Sequence, residues 1–593
     1  MSVPELDPFD GRRAVRADGL LEPFNAIGLL AAADVHVAMR LTALAGETDE
    51  AIALAAALAV RAPRHGHVFV DLRRIAETAS VDSEDEEIDL SELPWPSPED
   101  WLARLAASPL VAVGEAGFPN RPLRLVGSSL YLDRYWREEC RVAEDLLAFG
   151  AASVRADVLE AGLDRLFVGG PDDSQRTAAE AAVRRRFAVV AGGPGTGKTT
   201  TVARILALLV EQSGGVPPLV ALAAPTGKAA QRLEEAVHEA AADPRFEAAR
   251  EFMLGLSAST LHKLLGARPG TNRRRHHRGN RLPHEVVIVD ETSMVSLSMM
   301  ARLVEAVRPE ARLILVGDPD QLSSIEAGAV LSDIVEAGRE GVVALDHVFR
   351  FGAGIGDLAS AIRRNQPEEV LSVLRAEPEG VRWIDVDIAA PDALDKLGEV
   401  RAAALAAARA VIAAARAGDA AGALKALGAF RVLCAHRHGS YGVAVWMARI
   451  EAWLESELER GRWYAGRPLL VTENDYSLHL RNGDTGVVVA TAPGSVSAAF
   501  ERRGEVVTFA PTRLSAVDTV YAMTVHKSQG SQFETAVVLL PSAASPILTR
   551  ELLYTAVTRA QKELVLVGTE TSVRAAVGRP IARASGLRDR LRA

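Results

Sequence analysis

Through residues 1 to about 165, apolar positions, mostly alanine and leucine, recur at helical spacing, with one strand-like stretch at "RLVGSSLYLD" (124–133). From about residue 170 the pattern becomes alternation. Short apolar runs at 187–191, 219–224, 285–290 and 312–317 are separated by stretches of helical periodicity, the signature of a parallel sheet flanked by helices. An alanine-rich helical stretch fills about 387–430. Residues 467–513 then switch to β-type runs, "PLLVTEN", "TGVVVAT" and "EVVTFAP", with glycine turns such as "RNGDTG". They predict a small β-barrel inserted into a second α/β lobe, after which strand–helix alternation resumes. The organisation predicted is α/β: a mainly helical N-terminal domain at 1–165, a first lobe at 166–345 and a second at 346–593. No short-period repeat is present, which excludes a solenoid.

Composition narrows the class. A length of 593 residues implies about three to four domains, and 48% hydrophobic with 24% charged residues is ordinary for a globular protein. No apolar run approaches the roughly 20 residues of a membrane span, and the first residues lack the apolar core of a signal peptide. Two cysteines, Cys140 and Cys434, are too few for a metal knuckle. A reduced, cytoplasmic protein with no membrane association is expected. The net charge of −10 is concentrated in "DSEDEEIDLSELPWPSPED" (82–100), which holds nine acidic residues and no basic one. That tract reads as a solvated linker, so net charge does not exclude nucleic acid as a partner.

The strongest chemical signal is "VVAGGPGTGKTTTVARIL" (189–206). A buried strand runs into glycines and then into an apolar-periodic helix. Gly192, Gly193, Pro194, Gly195, Thr196, Gly197, Lys198, Thr199 and Thr200 fit the phosphate-binding loop G-x-x-x-x-G-K-[ST] and its first helical turn. Glycines let backbone N–H groups wrap a polyphosphate, and the helix N-terminus adds positive potential. Lys198 is suited to the β- and γ-phosphates of ATP and Thr199 to Mg²⁺. The chain has seven lysines among its 67 basic residues, at 198, 228, 263, 396, 425, 527 and 562. Keeping one in this loop points to a compact ammonium where a guanidinium fork does not fit.

Two further strands end in polar groups. "EVVIVDETSM" (285–294) places Asp290 to hold Mg²⁺ and Glu291 to polarise an attacking water. "LILVGDPDQL" (313–322) offers Gln321 as a γ-phosphate sensor. "LAAPTGKAAQRL" (222–233) fails the phosphate-loop pattern, but Pro-Thr-Gly-Lys at a helix start suits a nucleic-acid phosphate. His65 and His67 in "RHGHVFV" lack the additional ligands of a metal site and read as surface residues. Trp446, Trp453 and Trp463 read as packing. The basic stretch 268–281 reads equally as a solvated loop or a nucleic-acid contact.

In order along the chain, these motifs resemble those of superfamily 1 helicases. "DHVFRF" (346–351), "TVHKSQGSQF" (524–533) and "LLYTAVTRA" (552–560) look like that superfamily's fourth, fifth and sixth motifs. "STLHKLLGARPG", "GDPDQLSSIEAGAVLSDI" and "WYAGRPLLVTENDY" narrow the resemblance to the RecD family, the α subunits of exodeoxyribonuclease V (RecBCD). The likeness runs from about residue 170 to the end and is weaker, though in order, before that. It implies two RecA-like lobes with ATP between them. The first would supply Gln175 to read adenine, with Lys198, Thr199, Asp290, Glu291 and Gln321. The second would supply Arg350 and Arg559 as arginine fingers. Single-stranded DNA would cross both lobes at Thr226, Lys228, His526, Lys527 and Gln529, with His262 and Lys263 as weaker contacts. The activity implied is an ATP-dependent 5′-to-3′ DNA translocase working with RecB-like and RecC-like subunits in break repair, with the motif-free region 1–165 as the module that docks them. A self-sufficient superfamily 1 helicase on DNA or RNA is the rival reading, and a non-motor P-loop scaffold is a remote third. A nuclease strand of the acid-x-lysine type is not expected. The residues two before each lysine are Thr196, Thr226, Leu261, Leu394, Ala423, Val525 and Ala560, none of them acidic.

Overall fold

The computed structural model describes residues 10–81, 89–117, 120–167, 173–268, 271, 273–346, 352–458, 461–475, 477–492, 494–502 and 504–592. Its centre is a parallel sheet of six strands in the order Val342–Leu345, Phe187–Gly192, Arg312–Gly317, Val286–Val289, Val220–Ala224 and Ala258–Thr260. Its central strands are continuous apolar runs because both faces are covered. Alternate residues divide between two cores: Val189, Val289 and Leu315 face one, and Val190, Ile288 and Ile314 the other. A second, five-stranded parallel sheet orders Val381–Ile384, Ala560–Val567, Phe533–Leu539, Phe430–Cys434 and Ala522–Thr524. Its faces divide in the same way, Leu433 and Val538 to one core, Val432 and Val537 to the other.

The N-terminal region has its own core of Phe24, Leu54, Leu58, Trp101 and Leu105 over a four-stranded sheet. The stretch "RLVGSSLYLD" forms the hairpin Leu123–Val126 and Ser129–Leu132 of that sheet. This core ends near residue 131, not at 165. The helix Asp133–Leu147 buries Trp136, Val142 and Leu146 with first-lobe residues Val289, Met300 and Leu303. The helix Ala156–Leu166 packs Leu159, Leu163 and Leu166 on the opposite face. Both therefore belong to the first lobe. The acidic tract is also more than a solvated linker. Residues 82–88 lie outside the described ones, but Leu90 is buried, and Trp95 meets Phe24 edge-on at 4.6 Å.

The insertion predicted as a barrel is a five-stranded antiparallel sheet, ordered Glu505–Phe509, Ser495–Arg502, Thr485–Ala492, Pro468–Val471 and Val517–Thr519. No ladder joins its two edge strands among the described residues, and closure into a barrel needs that pairing. Its "RNGDTG" turn reaches the first lobe, where Arg481 donates to the Gly227 carbonyl.

The C-terminal segment leaves the second lobe and returns across the first. Leu587 and Leu591 complete the core shared by Trp136 and Val289. The backbone of Ala584 accepts from Val68 N–H (2.7 Å) and donates to His67 Nδ1 (3.1 Å). His67 is thus an interface residue rather than the surface residue expected. Burial there pushes its pKa down to about 4, with Arg61 and Arg583 adding repulsion.

Candidate functional site

The first sheet presents the C-terminal ends of its strands to a cleft, the position where open α/β sheets form sites. The second lobe closes it with Arg559, which directly precedes the strand Ala560–Val567. In the first lobe, Gly195 and Gly197 take φ of 83° and 81°, conformations that favour glycine. Thr196 donates from its hydroxyl to the Gly193 carbonyl, and Lys198 Nζ donates to the carbonyls of Gly192 and Gly193 at 2.7 and 2.9 Å. Pro194 is buried, Thr199 is half-buried, and Thr200 is exposed on the first turn of the helix Lys198–Ser213. Gln175 spans this loop from behind. Its Nε2 donates to the Thr196 carbonyl (2.8 Å), and its Oε1 accepts from Arg204 Nη1 (2.7 Å). Arg204, which the sequence reading did not single out, stacks 4.6 Å over the ring of Phe167.

Register places the acids beside the loop. Ala191 pairs with Gly317 and Val289 with Leu315, so Asp290 and Asp318 emerge next to the glycines. Burial, with repulsion from Glu291, raises the Asp290 carboxyl to about 6, and the Lys198 charge opposes that rise. Glu291 sits at φ 51°, ψ 40°, a left-handed conformation that costs a non-glycine residue about 1–3 kcal/mol. Gln321 is buried and donates to Asp318 Oδ2 at 3.0 Å.

From the second lobe, Arg559 enters the same cleft fully buried. Its guanidinium donates to the carbonyls of Thr555 and Ser531 (3.0 and 3.1 Å) and lies within the fields of Glu291 and Asp318. Arg350 and residues 347–351 of its motif lie outside the described residues. Gln529, expected on DNA, instead donates to the Leu322 carbonyl of the first lobe (2.7 Å). It is a cross-cleft tie in this structure. Leu322 N–H in turn donates to Thr555 Oγ1 (2.8 Å), and Arg363 pairs with Asp320 (2.7 Å).

The remaining residues assigned to nucleic acid lie on three separate segments. Thr226 caps the helix Gly227–Ala240, its hydroxyl accepting from Ala229 N–H at 3.2 Å. Lys228 follows, and burial beneath the insertion pushes its pKa down to about 8. Lys527 is exposed on a single 3₁₀ turn. His526 beside it is held down to about 4 by burial and by Arg583 and Arg437. His262 and Lys263 lie exposed on the short helix Leu261–Leu264. Within the basic stretch, Arg278 makes a two-oxygen contact with Asp145 (2.8 and 2.7 Å). That arginine is engaged by the first lobe's own helix. Trp446 is in the core.

A glycine-built phosphate loop on one parallel sheet, faced by a buried arginine from a second, defines a two-lobed P-loop NTPase of the helicase kind. Family models agree along the chain: "RecBCD enzyme subunit RecD, N-terminal domain" at 26–131, "AAA domain" at 171–385 and "UvrD-like helicase C-terminal domain" at 519–567. The RecBCD enzyme subunit RecD of Mycolicibacterium smegmatis is 52% identical over 581 residues, covering 97% of this chain and 99% of that one. That of Mycobacterium tuberculosis is 51% identical over 590 residues, 98% of each. The ATP-dependent RecD2 DNA helicase of Deinococcus radiodurans is 30% identical over 508 residues, 83% of this chain and 63% of that one. The chain belongs to the RecD family. It is a superfamily 1 helicase with nucleotide-binding, ATP-hydrolysing domains.

Proposed function

We propose that this chain is the 5′-to-3′ single-stranded DNA translocase subunit of a RecBCD-type complex and has no nuclease site of its own. The observation that carries the reading is the convergence of Lys198, Asp290, Glu291, Gln321 and Arg559 in one cleft between two parallel sheets. Lys198 and the loop amides would bind the β- and γ-phosphates of ATP, with Gln175 toward the base. Thr199 and Asp290 would hold Mg²⁺. The donor set fits a divalent cation, because Asp290 and Glu291 place two carboxyl groups against the single ammonium of Lys198. Mg²⁺ supplies charge neutralisation of the phosphates. Glu291 would orient and deprotonate the attacking water, and Gln321 would report the terminal phosphate. Arg559, with Arg350, would stabilise charge spread over the transferring phosphoryl oxygens.

Opening and closing of the cleft would ratchet DNA across Thr226, Lys228, His262, His526 and Lys527. Gln529 would couple that surface to the nucleotide through Leu322. The 5′-to-3′ direction rests on the family resemblance. RecB-like and RecC-like partners are supported by full-length similarity to chains named as RecBCD subunits. The second reading, a self-sufficient helicase, draws on the likeness to RecD2, of which this chain spans less than two thirds. Stoichiometry of the native complex separates the two: a free, active monomer supports the second.

The full-length chain with ATP, Mg²⁺ and end-labelled DNA tests the activity. Translocation toward the 3′ end with unchanged strand lengths is expected. Lys198→Ala should retain DNA binding and fall below about a tenth of wild-type turnover, since losing a few kcal/mol of transition-state contact costs at least that much. Strand shortening that co-purifies with the chain and survives Lys198→Ala would reveal a second active site.

A further inference from the structure

Two buried side chains without an assigned role meet in the cleft. Tyr554, on the second-lobe helix Arg550–Val557, donates its hydroxyl to Asp318 Oδ2 at 3.1 Å. Asp318 directly follows the first-lobe strand Arg312–Gly317. The contact lies at the mouth of the phosphate loop: a Cβ built on Gly193 would fall 2.7 Å from the Tyr554 hydroxyl and 4.0 Å from Asp318 Oδ2. The loop main chain therefore approaches the phenol as closely as a glycine allows.

The chemistry of Asp318 is unusual for a structural tie. Its carboxyl is 1% exposed, and its hydrogen bonds come from neutral donors: Asp320 N–H, Gln321 Nε2 and the Tyr554 hydroxyl. With Lys198 and Arg559 acting on it only through their fields, a buried carboxylate hydrogen-bonded by neutral donors is costly compared with an apolar contact of equal size. What it provides is direction. It fixes the only O–H of Tyr554, and that O–H is the second-lobe donor nearest Gly193.

We infer that Tyr554 is a second donor from the second lobe to the terminal phosphate of ATP, and that Asp318 is the positioning residue that aims it. The inference rests on the reading of the Lys198 loop as the nucleotide site. A terminal phosphate carries more negative charge than a carboxylate and is the better acceptor for the phenol. On ATP binding the hydroxyl passes from Asp318 to a phosphate oxygen; when the phosphate leaves, the bond to Asp318 re-forms. Thr555 and Leu322, hydrogen-bonded beside the pair, carry the change to Gln529.

The test compares nucleotides with and without the terminal phosphate on the full-length chain. Tyr554→Phe, which removes one oxygen, should weaken binding of a non-hydrolysable ATP analogue by about tenfold or more. It should leave ADP affinity unchanged and lower the DNA-stimulated kcat by about a hundredfold. Asp318→Asn keeps the shape and removes the charge. It should bind the analogue more tightly than wild type and hydrolyse ATP more slowly. Equal affinities for both nucleotides with wild-type kcat in Tyr554→Phe, or an equal loss for both nucleotides, overturns the inference. So does an Asp318→Asn variant that binds the analogue no better than wild type. Lys198→Ala, measured alongside, separates the two claims: wild-type turnover there removes the nucleotide assignment itself.

Discussion

Glu291 is the residue whose backbone pays most visibly for its place. Its φ of 51° is comfortable for glycine, so Glu291→Gly should raise unfolding stability by about 1 kcal/mol while abolishing ATP hydrolysis. Chemical denaturation beside a turnover assay checks both halves. A less stable glycine variant would mean that the carboxylate, not the backbone, sets the local energy. Arg559 permits a complementary experiment. Its guanidinium is already held by two carbonyls, so binding ATP in the ground state uses little of its fork. Arg559→Lys should lower kcat by about a hundredfold or more and change the KM for ATP far less. A loss confined to KM would assign it to ground-state binding.

At the scale of elements, the C-terminal segment carries a pH dependence of two opposed parts. Ser585 Oγ lies between Asp333 (2.8 Å) and Glu139 (3.0 Å) and has one proton for two carboxyl groups. Burial raises the Asp333 carboxyl to about 7, with Glu139 and Glu336 adding to the rise and Ser585 and Arg588 opposing it. A raised carboxyl pKa favours the docked segment below about 4, and that contribution is lost as pH climbs toward 7. His67 acts the other way. Its lowered pKa favours docking above about 6.5, and its contribution fades as pH falls toward 4. Glu139, also raised by burial, acts in the same direction as Asp333. Asp333→Asn combined with Glu139→Gln should therefore leave amide protection of Ala584 and Gly586 rising between pH 5 and 7, and His67→Asn should leave it falling. Hydrogen exchange corrected for intrinsic rates gives the answer; identical profiles for both variants would remove either group from control.

Much of this was legible in the sequence because it is contiguous. The phosphate loop, the paired acids and the strand runs each declare themselves within about ten residues. What was hidden depends on distant residues meeting: Tyr554 with Asp318, Arg481 with Gly227, Ala584 with His67. Gln529 shows the same limit, since its motif is plain but its partner Leu322 lies more than two hundred residues earlier. The end of the N-terminal core near 131 was hidden for a different reason. Helical periodicity shows that Asp133–Leu147 has an apolar face, but not which core receives it.

For the whole molecule, that division changes how the N-terminal region can be removed. We propose that residues up to about 131 dock partner subunits. Deleting them should abolish co-purification with RecB-like and RecC-like chains while sparing some DNA-stimulated ATPase. Deletion through 165 should instead lose a soluble product, because it strips Trp136, Leu146, Leu159 and Leu163 from both faces of the first sheet. Normal recovery of partners with the shorter deletion would place the docking surface elsewhere.

The return of Leu587 and Leu591 to the first-lobe core also bears on synthesis. Domains commonly fold as they leave the ribosome, at about 5–20 residues per second. Here the lobe that carries the phosphate loop is left with an open hydrophobic seam until Leu587 and Leu591, far beyond its last strand, have emerged. Until then this chain is an unfinished motor, and residues that follow the second lobe determine whether the first is sealed.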